Sequence, residues 1–151
     1  MVATGSFEGS VGAAMAKSWT QKMDGRDAPA VQVLDRAYGG APAGGMMLVA
    51  TPRLVERYIR SIPAGESRTI AEMRADLARE HGAAITCPMS TSIFVRIVAE
   101  AALEAREAGV EDAEMTPFWR IVEPASPLAA KLSCGREYVE IKRKLERGSP
   151  A

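Results

Sequence analysis

Few side chains in this sequence have the types and spacing that covalent chemistry demands. His81 is the single histidine. With Cys87 and Cys134 far from it in sequence it makes no zinc set, and its place at a predicted helix end suits a capping role. There is no Cys-x-x-Cys pair, no Gly-x-Ser-x-Gly elbow and no Gly-x-Gly-x-x-Gly following a strand. Cys87 stands at the start of a predicted helix, where the N-terminal field lowers a thiol pKa and raises the share of nucleophilic thiolate. The plainer reading is a small buried residue, and Cys134 beside Gly135 carries the same pair of readings. The run Gly39-Gly40-Ala41-Pro42-Ala43-Gly44-Gly45 lacks the Gly-Lys-Ser/Thr ending of a phosphate loop and reads as a turn. What remains is recognition chemistry. Phe118 and Trp119 are adjacent in a chain that is only 5% aromatic; between Pro117 and Arg120 they either stack a flat ligand or anchor the core. Arg96, with Ser92 and Ala99 on the same side of a helix, is a cation among neighbours small enough for another molecule to approach the backbone.

These residues depend on a long helix predicted from Cys87 to Ala108. At helical period Ile93, Phe94, Ile97, Val98, Ala101, Ala105 and Ala108 form one broad apolar face. Pro88 suits the first turn, Ser90, Thr91 and Ser92 offer capping oxygens, and Gly109 stops the far end. Upstream, Thr51-Pro52 caps a helix carrying Leu54, Val55, Tyr58, Ile59 and Ile62, closed by Pro63. Thr69 and Glu72 form a capping box ahead of Ile70, Met73, Leu77 and Ala78, and Gly82 supplies a left-handed stop after His81. A capped helix, a connecting segment and a long helix in succession have the order of a helix-turn-helix. Further on, Ile121-Val122 and Leu128 to Leu132, separated by the turn chemistry of Glu123 to Pro127, are expected to pair as a wing. Gly135 leads into a last helix whose apolar edge is Tyr138, Val139, Ile141 or Lys142, and Leu145.

The first fifty residues are expected to be simpler. Residues 1–12 are Gly-, Ser- and Ala-rich and read as a disordered tail. Residues 13–50 read as a helical extension with a Gly-rich loop: Ala13 to Met23 with Met15 and Trp19, Pro29 to Tyr38 with Val31 and Leu34, then Met46 to Ala50 as a short strand or core segment. Residues 51–151 make the main domain. The predicted fold is therefore mainly α with a small β-hairpin, a winged helix-turn-helix-like domain with a short N-terminal extension.

The chain has 151 residues, enough for one domain that buries roughly 70% of its unfolded surface. Two cysteines and no basic-then-apolar leader point to a reducing cytoplasm, and no apolar run approaches a membrane span. Zero net charge weighs against a strong non-specific nucleic-acid binder. The charge is unevenly spread: from Ala129 onward six cations face three acids, whereas Ala101 to Leu128 holds two cations and six acids. Such runs are usually solvated faces.

Taken together, the motifs resemble the C-terminal domain of alkylguanine-DNA alkyltransferases and their non-catalytic alkyltransferase-like relatives. Ile62-Pro63-Ala64-Gly65-Glu66 is similar to the family's Ile-Pro-x-Gly opening, and Arg96-Ile-Val-Ala-Glu-Ala101 to its Arg-Ala-Val-Gly-x-Ala recognition helix. Pro117-Phe118-Trp119-Arg120-Ile121-Val122 resembles Pro-Cys-His-Arg-Val-Ile/Val. Gly135 to Gly148 resembles the closing Gly-x-Lys-x-x-Leu-Leu-x-x-Glu-Gly helix. The likeness runs from Thr51 to Gly148, about two-thirds of the chain, and lies in the order and spacing of the motifs rather than in any one of them.

The resemblance implies minor-groove binding by the helix-turn-helix, with Arg96 as the finger pushed into the base stack and Ser92, Ala99, Thr69 and Lys131 as further DNA contacts. It implies a base pocket at Phe118, Trp119 and Arg120, with Arg120 as a structural or phosphate contact. It also marks departures. Phe118 replaces the alkyl-accepting cysteine, Trp119 the histidine that activates it, and Ile70 the flipping tyrosine; the Asn-Pro hinge is absent between Gly109 and Met115. A phenyl ring cannot accept an alkyl group by displacement. The implied function is thus a non-catalytic reader of alkylated or otherwise modified bases in DNA repair, needing no cofactor or metal. Its partners would be double-stranded DNA, with or without alkylguanine, and a repair protein, with no membrane role. The alternatives are a winged-helix interaction or dimerisation module without DNA binding and, below it, an alkyltransferase using Cys87 or Cys134.

Overall fold

The structure is a computed structural model that describes residues 17–25 and 28–148. The tail assigned to residues 1–12 and the first residues of the helix expected from Ala13 lie outside them. The described chain is mainly helical, with one three-stranded sheet.

Helix α1 (Trp19–Lys22) is one turn, opened by a capping box in which Ser18 and Gln21 satisfy each other's backbone N–H groups. Strands β1 (Ala30–Val33) and β2 (Met46–Val49) form an antiparallel hairpin, with Val31 opposite Leu48. The helix expected over Pro29 to Tyr38 is therefore a strand and turn. Buried β2, with Leu48 fully enclosed, needs partners for its backbone groups, and β-branched Val31 and Val33 suit the strand that supplies them. Gly39 and Gly40, at φ +61° and +95°, make the reversal between them that side-chain-bearing residues resist.

Helix α2 (Pro52–Ser61) starts as predicted: Thr51 Oγ1 accepts the Leu54 N–H at 3.1 Å and Pro52 occupies the first turn. Helix α3 (Ile70–Glu80) carries the expected Thr69–Glu72 capping box and ends at His81, whose Nδ1 lies 2.9 Å from the Leu77 carbonyl, before Gly82 at φ +66°. The connection onward holds strand β3 (Ile85–Thr86), parallel to β2 with Thr86 opposite Leu48. The segment between the two helices of the expected helix-turn-helix is thus part of the sheet. It locks the N-terminal hairpin to the helices.

Helix α4 (Pro88–Glu107) is the central element, touched by α1, α2 and α3. Two short 3-10 turns follow, Asp112–Glu114 and Phe118–Arg120, then helix α5 (Pro127–Lys131) and helix α6 (Gly135–Gly148). No wing forms there. Ile121 and Val122 are fully buried in the core outside any strand, and the segment expected as the returning strand is α5. The Ser-Pro pair read as a turn is a helix start: Ser126 Oγ accepts the Ala129 N–H at 3.1 Å and Pro127 takes the first turn. No described helix is long and apolar enough to cross a membrane.

Candidate nucleic-acid interface

The N-terminal half of α4 is turned differently from its periodicity. Thr91, Val95, Val98, Ala99, Ala101 and Ala102 are buried, whereas Ile93 is 53% exposed and Ala108 lies on the surface. The reason is that α4 packs on several sides at once: α1 covers one flank, and α2 and the Phe118–Arg120 turn press against others. Small residues such as Ala99 let protein backbone come close. Ala99 is fully buried and cannot touch DNA, a correction to the expected contact set. The hydroxyls also act otherwise than predicted. Cys87 caps α4 without a side-chain bond, while Thr91 and Ser92 donate back to the carbonyls of Cys87 (2.6 Å) and Pro88 (3.3 Å).

Of the other four expected DNA contacts, Ser92, Arg96 and Lys131 converge, whereas Thr69 lies outside the groove that they line. Ser92 and Arg96 from α4 and Lys131 from α5 line one groove of about 770 Å³. Ile70, one residue after the exposed cap Thr69, forms its wall at the start of α3; Trp19 and Lys22 enter from α1. The charged residues of the lining are Lys22, Arg96 and Lys131, all cations. Among the described residues none of the three forms an ion pair. Between them lie apolar Ile93, Ile97 and Leu128, and the Arg96 guanidinium carbon sits 5.5 Å from the centroid of the Trp19 ring.

Of the three residues of the expected base pocket, the fold buries Phe118 in the core and sets Trp119 and Arg120 together on one cavity. Phe118 is fully buried, edge-on to Trp119 at 5.4 Å and stacked on Tyr138 at 6.0 Å. It is a core anchor and not a pocket wall. Trp119 is 4% exposed and borders a separate cavity of about 460 Å³ with Arg60, Lys142 and Glu146. Lys142 Nζ lies 4.7 Å from the Trp119 ring, covering a face that a base would need for stacking.

Arg120 is equally occupied. It pairs with Glu146 at 2.6 Å and donates to the Ile62 carbonyl at 2.6 Å, tying the Pro63–Gly65 turn to α6. Burial pushes the Glu146 carboxyl up, but the hydrogen bonds and charge of Arg120, together with the neighbouring Trp119 and Gly65 N–H groups, outweigh it and hold the group below its ordinary range. The Trp119 indole N–H lies against the same carboxylate without reaching hydrogen-bonding geometry.

Comparison with known protein families, with curated proteins and with solved structures returns no match.

Both thiols are half-buried and free. At Cys87 burial acts to raise the pKa, but hydrogen bonds from Ser90, Met89 and Tyr38 bring it below the usual thiol value; at Cys134 burial prevails and raises it. Neither lines the groove. Two residues that the sequence reading passed over matter here. Lys22 carried no signal beyond its charge. Glu100, 4% exposed, accepts from the Ser133 N–H (3.0 Å) and Oγ–H (2.6 Å), which fixes the α5–α6 junction and hence Lys131 beside α4.

Proposed function

We propose that this protein binds duplex DNA through the groove over the first half of α4 and takes up no alkyl group, in the manner of the alkyltransferase-like proteins that it resembles. The observation that carries the reading is the charge of the groove: its charged side chains are three cations, on a protein of zero net charge. Phosphates are the partner that such a set fits, and Arg96 between apolar walls is the kind of group that can enter a base stack. A reader of alkylated bases would hold the unstacked base here, between Ile70 and Leu128, and not at Phe118. Alkyl transfer requires a nucleophile at the base, and the groove lining contains no cysteine.

The test is a titration of plain and alkylguanine-containing duplexes at several salt concentrations, with intact-mass analysis afterwards. Three phosphates neutralised would give a slope of log K against log salt of about −2.7, near −0.9 each. Arg96→Ala should weaken binding, and the protein should gain no mass. Absence of salt-dependent binding would overturn the proposal. The exposed Ile93 favours a second reading, a protein-interaction or dimerisation surface, which self-association insensitive to salt would select.

A further inference from the structure

Trp19 lies outside the stretch from Thr51 to Gly148 that resembles the alkyltransferases, yet it forms part of the groove. A four-residue helix does not persist by itself, because nucleation costs more than one turn returns. Helix α1 is held from α4 instead. The Glu104 carboxylate accepts the backbone N–H groups of Thr20 (2.8 Å) and Trp19 (3.3 Å). Met23 is buried in the core just beyond, and Asp24 takes two hydrogen bonds from Arg53 on α2, at 2.9 and 3.0 Å. The indole is thereby set beside two cations, with Lys22 Nζ 4.1 Å and the Arg96 guanidinium carbon 5.5 Å from the ring centroid.

Arg96 needs such a support. Its Nε is buried and has no acceptor among the described residues, so no hydrogen bond from that atom fixes the guanidinium. A long side chain left free would lose rotamer entropy on binding, whereas one already laid against a ring loses less. We infer that Trp19 is a positioning residue, holding the Arg96 guanidinium in one pose at the groove, and that Glu104 is the pin that holds Trp19. This rests on the proposed DNA-binding role of the groove.

The experiment is a double-mutant cycle on the full chain, reading the affinity for a plain duplex by anisotropy. Trp19→Ala should weaken binding about three- to fivefold, the scale of one exposed cation–π contact. Arg96→Ala should weaken it further, and the double variant should bind no worse than Arg96→Ala. Trp19→Phe should recover most of the loss. Additive losses would overturn the inference, since Trp19 would then act other than through Arg96. A wild-type protein that binds no duplex would sink the proposed function but leave this inference open to a direct reading without DNA. In nitrogen-15 spectra the Arg96 Nε–H signal should be displaced by the indole ring current. It should move toward its free position in Trp19→Ala and in Glu104→Ala, the latter a change made outside the groove. A signal that stays in place in both variants would show that Trp19 does not hold Arg96.

Discussion

Two lined hollows of this molecule use arginine and lysine in opposite ways. Around Trp119 every charge is answered within the protein: Arg120 by Glu146, Lys142 by Asp112 at 3.8 Å, and Arg60 by Thr116 Oγ1 at 2.8 Å and the Glu114 carbonyl at 3.1 Å. Over α4 the cations Lys22, Arg96 and Lys131 meet no described carboxylate, and the space between them is wide and apolar. Charges that satisfy one another hold elements together; charges left without a counter-ion are available to a partner. The motif that most resembles a reactive centre, Pro117 to Val122, is thus on the structural side of this contrast. The helix read as a recognition element is on the side of the cations left without a counter-ion.

The contrast would break most visibly at Phe118. Phe118→Ala empties a fully enclosed site and is expected to cost about 3–5 kcal/mol in urea unfolding, by the usual range for buried aromatic truncation. A stable variant with weakened DNA binding would return Phe118 to the pocket. Next in size is Arg120→Met, expected to cost about 1.5–3 kcal/mol, the scale of hydrogen bonds to a charged group. It carries a pH signature as well. The folded pKa of Glu146 lies below its ordinary 4.5, so its contribution is complete above that value and disappears as pH falls through the folded pKa. The wild-type protein should therefore lose part of its advantage over Arg120→Met on acidification below about 4.5.

On the other side of the contrast, Lys131→Gln should leave the unfolding free energy within about 0.5 kcal/mol, as for an exposed surface position. It should reduce the salt slope of duplex binding by about one. A melting change with an unaltered slope would move Lys131 to the structural side. The smallest effect belongs to the link between the N-terminal turn and α4. The Glu104 carboxyl is held low chiefly by its bond from Thr20, so the pin persists above 4.5 and is released as pH falls through the lower folded pKa. The emission difference between wild type and Trp19→Phe should shift in that acidic window before global unfolding. If it shifts only together with unfolding, α1 is held by its other contacts.

What the sequence determined by itself was local. Thr51-Pro52, the Thr69–Glu72 box, Gly82 and Gly109 set helix ends through bonds that span three or four residues, and the structure places helix boundaries at each of them. The mainly helical class was legible for the same reason, and a small β component was expected too, but with its hairpin at Ile121 to Leu132 rather than over β1 to β3. Ser126-Pro127 shows the limit: one local signal serves both a turn and a helix start, and only packing against the core selects α5. The side that α4 shows to solvent was decided by tertiary structure, because alanine is apolar enough to be buried and small enough to be approached, so Ala99 suits either face. The hairpin over Ala30–Val33 was likewise set by a buried neighbour that needed hydrogen-bond partners. Above all, whether an arginine faces a partner or a carboxylate depends on which residues lie opposite it: Glu146, 26 positions away, occupies Arg120, while across from Arg96 the fold sets the Trp19 ring, from a segment 77 positions earlier. Spacing along a chain records neighbours within a few turns, and contacts at such separations exist only once the core has closed.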